Sequence, residues 1–213
     1  MPQLIYIADP MCSWCWGFSP VIDAIAERFG AVAPVSLLMG GLRPYNTEPM
    51  REKDRAMIRE HWEHVAQRTG QPFDFAFFDR SDFTYDTEPA SRAVVTAQAL
   101  RPGSGLDMLK AVQQAFYAEN RDVTDEDVLT EVAVEEGFAA EPFASALVSE
   151  SARAATREGF VTSQNAGIRG FPTLLAGTAQ TGYTMVTHGY QPLEALAEPL
   201  EQWLRQQSAA NDD

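Results

Sequence analysis

Cys12 and Cys15 are the only thiols in the chain, and two residues separate them. A pair so spaced can exchange electrons as a dithiol and a disulfide, supply half of a zinc site, or lie inert in a core. Its surroundings favour the first. The apolar run Leu4-Ile5-Tyr6-Ile7-Ala8 reads as a buried strand, and Val21, Ile22, Ile25 and Phe29 form a stripe at helical spacing, so the cysteines fall where a strand passes into a helix. In a helix's first turn the backbone N–H groups lack intrahelical partners and the macrodipole leaves partial positive charge, which favours an anion. With the helix starting near Cys12, its sulfur is expected to accept from the amides of Trp14 and Cys15, which stabilises the ionised form. Cys12 is then the attacking thiolate. Cys15, one turn on and deeper, becomes the resolving thiol that attacks a mixed disulfide on Cys12 and releases the bound partner.

Zinc would need four protein ligands, and with two cysteines the rest would come from His61, His64, His188 or acids. His61 and His64 lie three apart on an expected helix, but their distance from the cysteines fits no compact finger. Without a metal they read as a solvated or domain-facing pair. Ser13 and Trp14 carry no positive charge, so a thiolate must rely on backbone amides and the helix end. Trp14 is expected to be partly exposed, either touching an unfolded substrate or packing against an inserted helical segment. Trp16 and Phe18 read as core anchors. Asp9 either tunes proton transfer or caps the loop, because a carboxylate too close to Cys12 would oppose its ionisation.

The elements that must hold this pair follow in order. Val35-Ser36-Leu37-Leu38-Met39, ended by Gly40-Gly41, reads as a second strand, parallel to the first across a helix that stops near Gly30. The front of that helix then lies at the carboxyl ends of the strands, where open α/β sheets do their chemistry. Residues 47–159 read as an all-helical insertion, with 1–46 and 160–213 forming the sheet-bearing unit. Within the insertion a helix after Thr47 carries Met50, Met57, Ile58, Trp62 and Val65, and Thr87-Glu88-Pro89 opens another. Leu106, Leu109, Val112 and Phe116 mark a third, Thr124-Asp125-Glu126-Asp127 resembles a capping box, and one last helix is expected from Pro142 to Glu158. The aromatics Phe73, Phe75, Phe77, Phe78, Phe83 and Tyr85 either form an apolar rim above the cysteines or, as most large aromatics do, pack internally. After residue 159, Pro172-Thr173-Leu174-Leu175 and Tyr183 to Thr187 read as a hairpin, and Leu193, Leu196, Leu200, Trp203 and Leu204 as a terminal helix. Ser208 to Asp213 read as a frayed tail. The class is α/β: βαβ, a helical excursion, then ββα.

The stretch Asp9-Pro10-Met11-Cys12-Ser13-Trp14-Cys15-Trp16-Gly17-Phe18, with Gly170-Phe171-Pro172-Thr173 far along the chain, resembles the DsbA family of thioredoxin-fold dithiol oxidoreductases, and within it the cytosolic protein-disulfide isomerase branch. The resemblance implies a thioredoxin fold with a helical insertion, a cis bond before Pro172, and a Phe171-Pro172 loop against the cysteines. The residues agree with this: proline is tolerated at a strand's first position, and X-Pro bonds adopt cis at low cost. Such a bend would offer the backbone of Phe171 to an extended peptide as an added strand. Cys12, Cys15 and Pro172 are therefore the expected catalytic set, with Trp14 and Phe171 contacting substrate.

Charge and composition bound the partners. Sixteen basic against thirty acidic side chains give a net charge of −14, which argues against nucleic acid and anionic membrane surfaces. With 45% hydrophobic residues the chain can bury a core without disulfide staples. No stretch approaches the length of a membrane span, and the first strand starts too early for a leader, so a cytoplasmic location is expected. No flavin, nicotinamide or metal is indicated. The expected activity is protein disulfide reduction or isomerisation, with electrons from glutathione or a thioredoxin-type reductant. The alternatives are a glutathione-dependent transferase or isomerase like the kappa class, and a thioredoxin-fold adaptor that senses redox state.

Overall fold

In the computed structural model, which describes residues 1–209, β1 (Gln3–Ala8) is an interior strand, and Leu4, Tyr6, Ile7 and Ala8 on it are buried on both faces. The chain crosses through α1 (Ser13–Phe29) to β2 (Val35–Met39), which pairs parallel to β1 with Leu4 opposite Val35 and Ala8 opposite Met39. On its other side β1 pairs antiparallel to β3 (Thr173–Thr178), and β3 pairs antiparallel to the edge strand β4 (Gly182–His188), giving the order β2-β1-β3-β4. The closing helix α8 (Leu193–Ala209) buries Leu196 and Leu200 and takes in Ser208 and Ala209, which corrects the expected start of the tail, whose remaining residues lie outside those described. This directionality puts the ends of β1, β2 and β4 and the start of β3 on one rim. Cys12, the Gly40–Arg43 turn, the Phe171-Pro172 loop and Tyr190 all leave from there.

Between β2 and β3 lie α2 (Glu52–Thr69), a short 3-10 turn (Phe75–Asp79), α3 (Glu88–Leu100), α4 (Gly105–Tyr117), α5 (Glu126–Glu135), α6 (Ala140–Leu147) and α7 (Glu150–Asn165). The single helix expected from Pro142 to Glu158 is two. The chain breaks after Leu147, and the Ser149 hydroxyl caps a new helix by accepting from the Ala152 amide. Likewise α2 begins only at Glu52, because Met50 donates its N–H to the Phe83 carbonyl and Pro49 bridges Thr84. At α5 the cap is Asp125, accepting from the Asp127 amide at 2.8 Å, with Thr124 bonded to Asp122.

The helical block meets α1 at its one weak point. Pro20 has no N–H to give the Trp16 carbonyl, and the Gln71 side-chain amide donates to that oxygen at 2.9 Å in its place, while Trp16 Nε1 donates to the Pro72 carbonyl at 3.0 Å. Gly17 permits the approach, since a methyl there would lie 2.9 Å from both Val65 and Thr69 of α2. The aromatic segment packs inward. Trp62 is ringed by Phe73, Phe75, Phe77, Phe78, Phe116 and Tyr117 at centroid distances of 4.8 to 6.2 Å, and Phe77, Phe78, Phe83 and Tyr85 are buried. The apolar rim is therefore overturned: these side chains build the core of the helical block. Arg92, 2% exposed, binds Glu88 with two nitrogens and reaches Glu126 and the Leu147 carbonyl, tying α3 to α5 and α6.

Candidate active site

Cys12 occupies the N-cap of α1 with extended backbone angles, and its carbonyl accepts from the Cys15 amide at 2.9 Å and the Trp16 amide at 3.1 Å. Its sulfur makes no capping bond. The amide expected to serve the Cys12 sulfur, that of Cys15, is used by the Cys12 backbone, so the anion-favouring influence is the end of the helix as a whole, with no acid in its first turn to oppose it. The thiol instead donates to the Phe171 carbonyl at 3.5 Å, across 159 positions of sequence. The Phe171-Pro172 bond is cis, and Pro172 directly precedes β3.

Both cysteines are free thiols, and their settings differ. Cys12 keeps a 7% opening while Cys15 is sealed. Burial pushes the Cys15 thiol well above its ordinary range, and the hydrogen bond to Cys12 and that sulfur's charge push the same way. Asp9 is fully buried beside them. Its Oδ1 accepts from the Met11 amide at 2.8 Å and its Oδ2 from the Leu42 amide at 2.7 Å, so it fastens the cysteine loop to the turn after β2. Burial raises its pKa to about 6 even though those amides favour the charged form. Tyr85 completes the frame by donating its hydroxyl to the Met11 carbonyl at 2.6 Å.

The loop holding Phe171 is similarly fixed. The Phe171 ring lies against Gly40, where a methyl would stand 2.0 Å from it. Thr173 donates to the Gly170 carbonyl at 2.8 Å and shares a hydrogen bond with His188 Nδ1 at 3.0 Å, and the Gly189 amide donates to the Pro172 carbonyl at 2.7 Å. Beside Cys12 opens a groove of about 620 Å³ lined by Trp14, His64, Gln67, Arg68, Phe171 and Tyr190. Trp14 is half-buried with its ring 5.9 Å from Tyr190, over which Arg68 also sits at 5.9 Å.

Cys12, Cys15, Trp14, Phe171 and Pro172 are thus gathered at one place. The alternative zinc set is not: among the described residues no three of His, Cys, Asp and Glu are arranged to hold a metal ion, and His61 is exposed. Sequence reasoning missed Arg68 and Tyr190, and it named Tyr85 only among the aromatics of a possible rim, not as a hydrogen-bond donor to the cysteine loop. Tyr190 was recoverable from topology, because Thr173 and His188 are register partners and the chain just past β4 must lie beside the loop entering β3. Tyr85 carried no local signal, since its hydroxyl bond spans 74 positions.

A hard-to-mistake arrangement has a buried dithiol at a helix N-cap facing a cis-proline loop, and the DSBA-like thioredoxin domain matches residues 3–201. The chain belongs to the DSBA-like thioredoxin domain family. Among solved structures, this DSBA-like chain is 40% identical to a protein of Nitrosomonas europaea described as a disulfide isomerase, with a TM-score of 0.89 and coverage of 96% of this chain and 98% of that one. It is 32% identical to the cytosolic disulfide reductase DsbM of Pseudomonas aeruginosa, with a TM-score of 0.79 and coverage of 96% and 99%, and a further DsbM structure was obtained with GSH. Curated relatives are also similar: the ClpXP adapter protein SpxH of Bacillus subtilis is 27% identical over 71% of this chain. The match takes in 50% of that relative, so the chain spans about half its length.

Proposed function

We propose that the protein is a thiol–disulfide oxidoreductase that reduces or isomerises protein disulfides in the cytoplasm, with a thiol such as glutathione, or a thioredoxin-type protein, as electron donor. Cys12 is the nucleophile, Cys15 the resolving thiol, and the cis Phe171-Pro172 loop the place where the substrate backbone docks, flanked by Trp14. The observation that carries this reading is the 3.5 Å contact from the Cys12 thiol to the Phe171 carbonyl. It puts the more accessible sulfur beside a backbone edge that an extended peptide can pair with. The division into a sheet-bearing unit, residues 1–46 and 160–213, and a helical insertion, residues 47–159, belongs to the same proposal.

Insulin reduction by the wild type, Cys12→Ser and Cys15→Ser tests it. Turnover is expected to vanish in Cys12→Ser, and Cys15→Ser is expected to accumulate a mixed disulfide visible by mass. A glutathione transferase of the kappa type would survive Cys15→Ser. The similarity to SpxH favours a second reading, an adapter that delivers a partner for degradation, and under that reading the wild type shows no turnover at all.

A further inference from the structure

Tyr6 stands in the middle of β1, fully buried, with its ring 5.7 Å from that of Phe18. Phe18 follows Cys15 by three positions on α1, so ring and thiol share the face that the helix lays on the sheet. Besides burial, the groups acting on the Tyr6 hydroxyl are Cys15 and Cys12, with a smaller influence from the charge of Asp23. While both cysteines are thiols it finds no partner at full hydrogen-bond geometry, and the side chain it inclines towards is Cys15. A buried hydroxyl without a strong partner is destabilising, and phenylalanine would fill the same space without that cost. Packing alone therefore gives no reason for the oxygen.

The chemistry of sulfur gives one. A neutral thiol is a weak acceptor and a thiolate a strong one, so the contact of this donor with Cys15 becomes a strong hydrogen bond when Cys15 ionises. A donor weakly engaged in the resting state and strongly engaged as charge develops lowers a barrier. We propose that Tyr6 is the hydrogen-bond donor that stabilises the Cys15 thiolate during resolution, an inference that rests on the roles given to the two cysteines above. In that step the Cys15 sulfur attacks Cys12 of the mixed disulfide. The Cys12–Cys15 bond forms, the bond from Cys12 to the substrate sulfur breaks with its electron pair going to the substrate, and the proton lost by Cys15 ends on that departing thiol. Tyr6 keeps its own proton, because burial and the two sulfurs push its phenol far upward. The other groups bearing on the Cys15 sulfur are the Asp9 amide, which favours its anion, and the Asp9 and Cys12 charges, which oppose it.

The test separates the two half-steps by rapid mixing with a disulfide substrate. In Tyr6→Phe, release of the substrate from Cys12 is expected to slow on the order of 10- to 100-fold, with its pH midpoint moved up by about one unit or more. Attack by Cys12 should fall by at least tenfold less than release does. Release at the wild-type rate with an unmoved midpoint overturns the inference, as does an equal loss in both steps. Where Tyr6→Phe fails to fold, site-specific fluorotyrosine at position 6 keeps the shape and strengthens the donor; faster release supports the role and an unchanged rate overturns it. Absence of any mixed disulfide on Cys12 in Cys15→Ser would instead sink the oxidoreductase reading itself.

Discussion

Burial sets the protonation of Asp9, and with it the pH dependence of the fold. Its carboxylate has no contact with water and two amide donors, and its pKa stands at about 6 against an ordinary 3.8. Between those values the folded chain holds a proton that the unfolded chain has released, so stability falls as pH rises through the window and the whole loss is present above it. The shift of about two units is worth about 3 kcal/mol, of which about 2 kcal/mol is lost between roughly pH 4.5 and 7.5. In Asp9→Asn the charge is gone, and one of the two amides faces an NH₂ group where it had an oxygen. That lost hydrogen bond is a constant cost of about 1–3 kcal/mol. Urea denaturation across this pH range is the assay. The stability of the wild type relative to Asp9→Asn should fall by about 2 kcal/mol as pH rises, on top of the constant offset. Parallel profiles, or a ¹³C carboxyl titration of Asp9 centred near the ordinary value, would refute the reasoning.

Two further substitutions read other parts of the frame. Gly40→Ala must displace the Phe171 ring from the rim and with it the carbonyl facing Cys12; kcat/KM for insulin reduction should drop on the order of 10- to 100-fold, while denaturation reports a loss of only about 1–3 kcal/mol. Wild-type activity in Gly40→Ala would separate Phe171 from substrate docking. Arg92→Met leaves Glu88, 4% exposed, without its cation, and should cost about 3–5 kcal/mol in urea with the thiol chemistry of the surviving folded protein unchanged. A loss under about 1 kcal/mol would mean the ion pair is not the clasp of the helical block.

Local pattern and long-range geometry divide what the sequence reveals. The strands, α1 and its buried stripe were legible because periodicity and burial act on neighbouring residues: Val21, Ile22, Ile25 and Phe29 are all buried as their spacing implied. Pro172 was legible as the entrance to β3, and the resemblance supplied its cis bond. Two features escaped for opposite reasons. The break at Val148-Ser149 is a local cap that helical periodicity on either side concealed, since Phe143 and Leu147 continue the stripe up to it. The fastening of the site by Asp9 to Leu42, Tyr85 to Met11 and Phe171 to Gly40 joins residues distant in sequence, and no spacing rule encodes a hydrogen bond across 33 or 74 positions or a ring packed on a glycine of another loop.

The two cysteines illustrate how identical side chains acquire distinct roles on the proposed reading. Cys12 lies at a helix end with a small opening to solvent, whereas Cys15 is sealed and held protonated, first by burial and then by its hydrogen bond to Cys12 and that sulfur's charge. Of these three influences the last two depend on the Cys12 sulfur being free, the charge arising only in its ionised form. Once Cys12 is consumed in a mixed disulfide it carries no charge, and both are removed while burial stays. The resolving thiol therefore becomes easier to ionise at the moment its attack is required, and is disfavoured as a nucleophile before then. The order of events follows from this coupling. It can be tested by following the ultraviolet thiolate absorbance of Cys15 in a protein whose Cys12 is blocked as a methyl disulfide, where its titration should lie below that of the free dithiol.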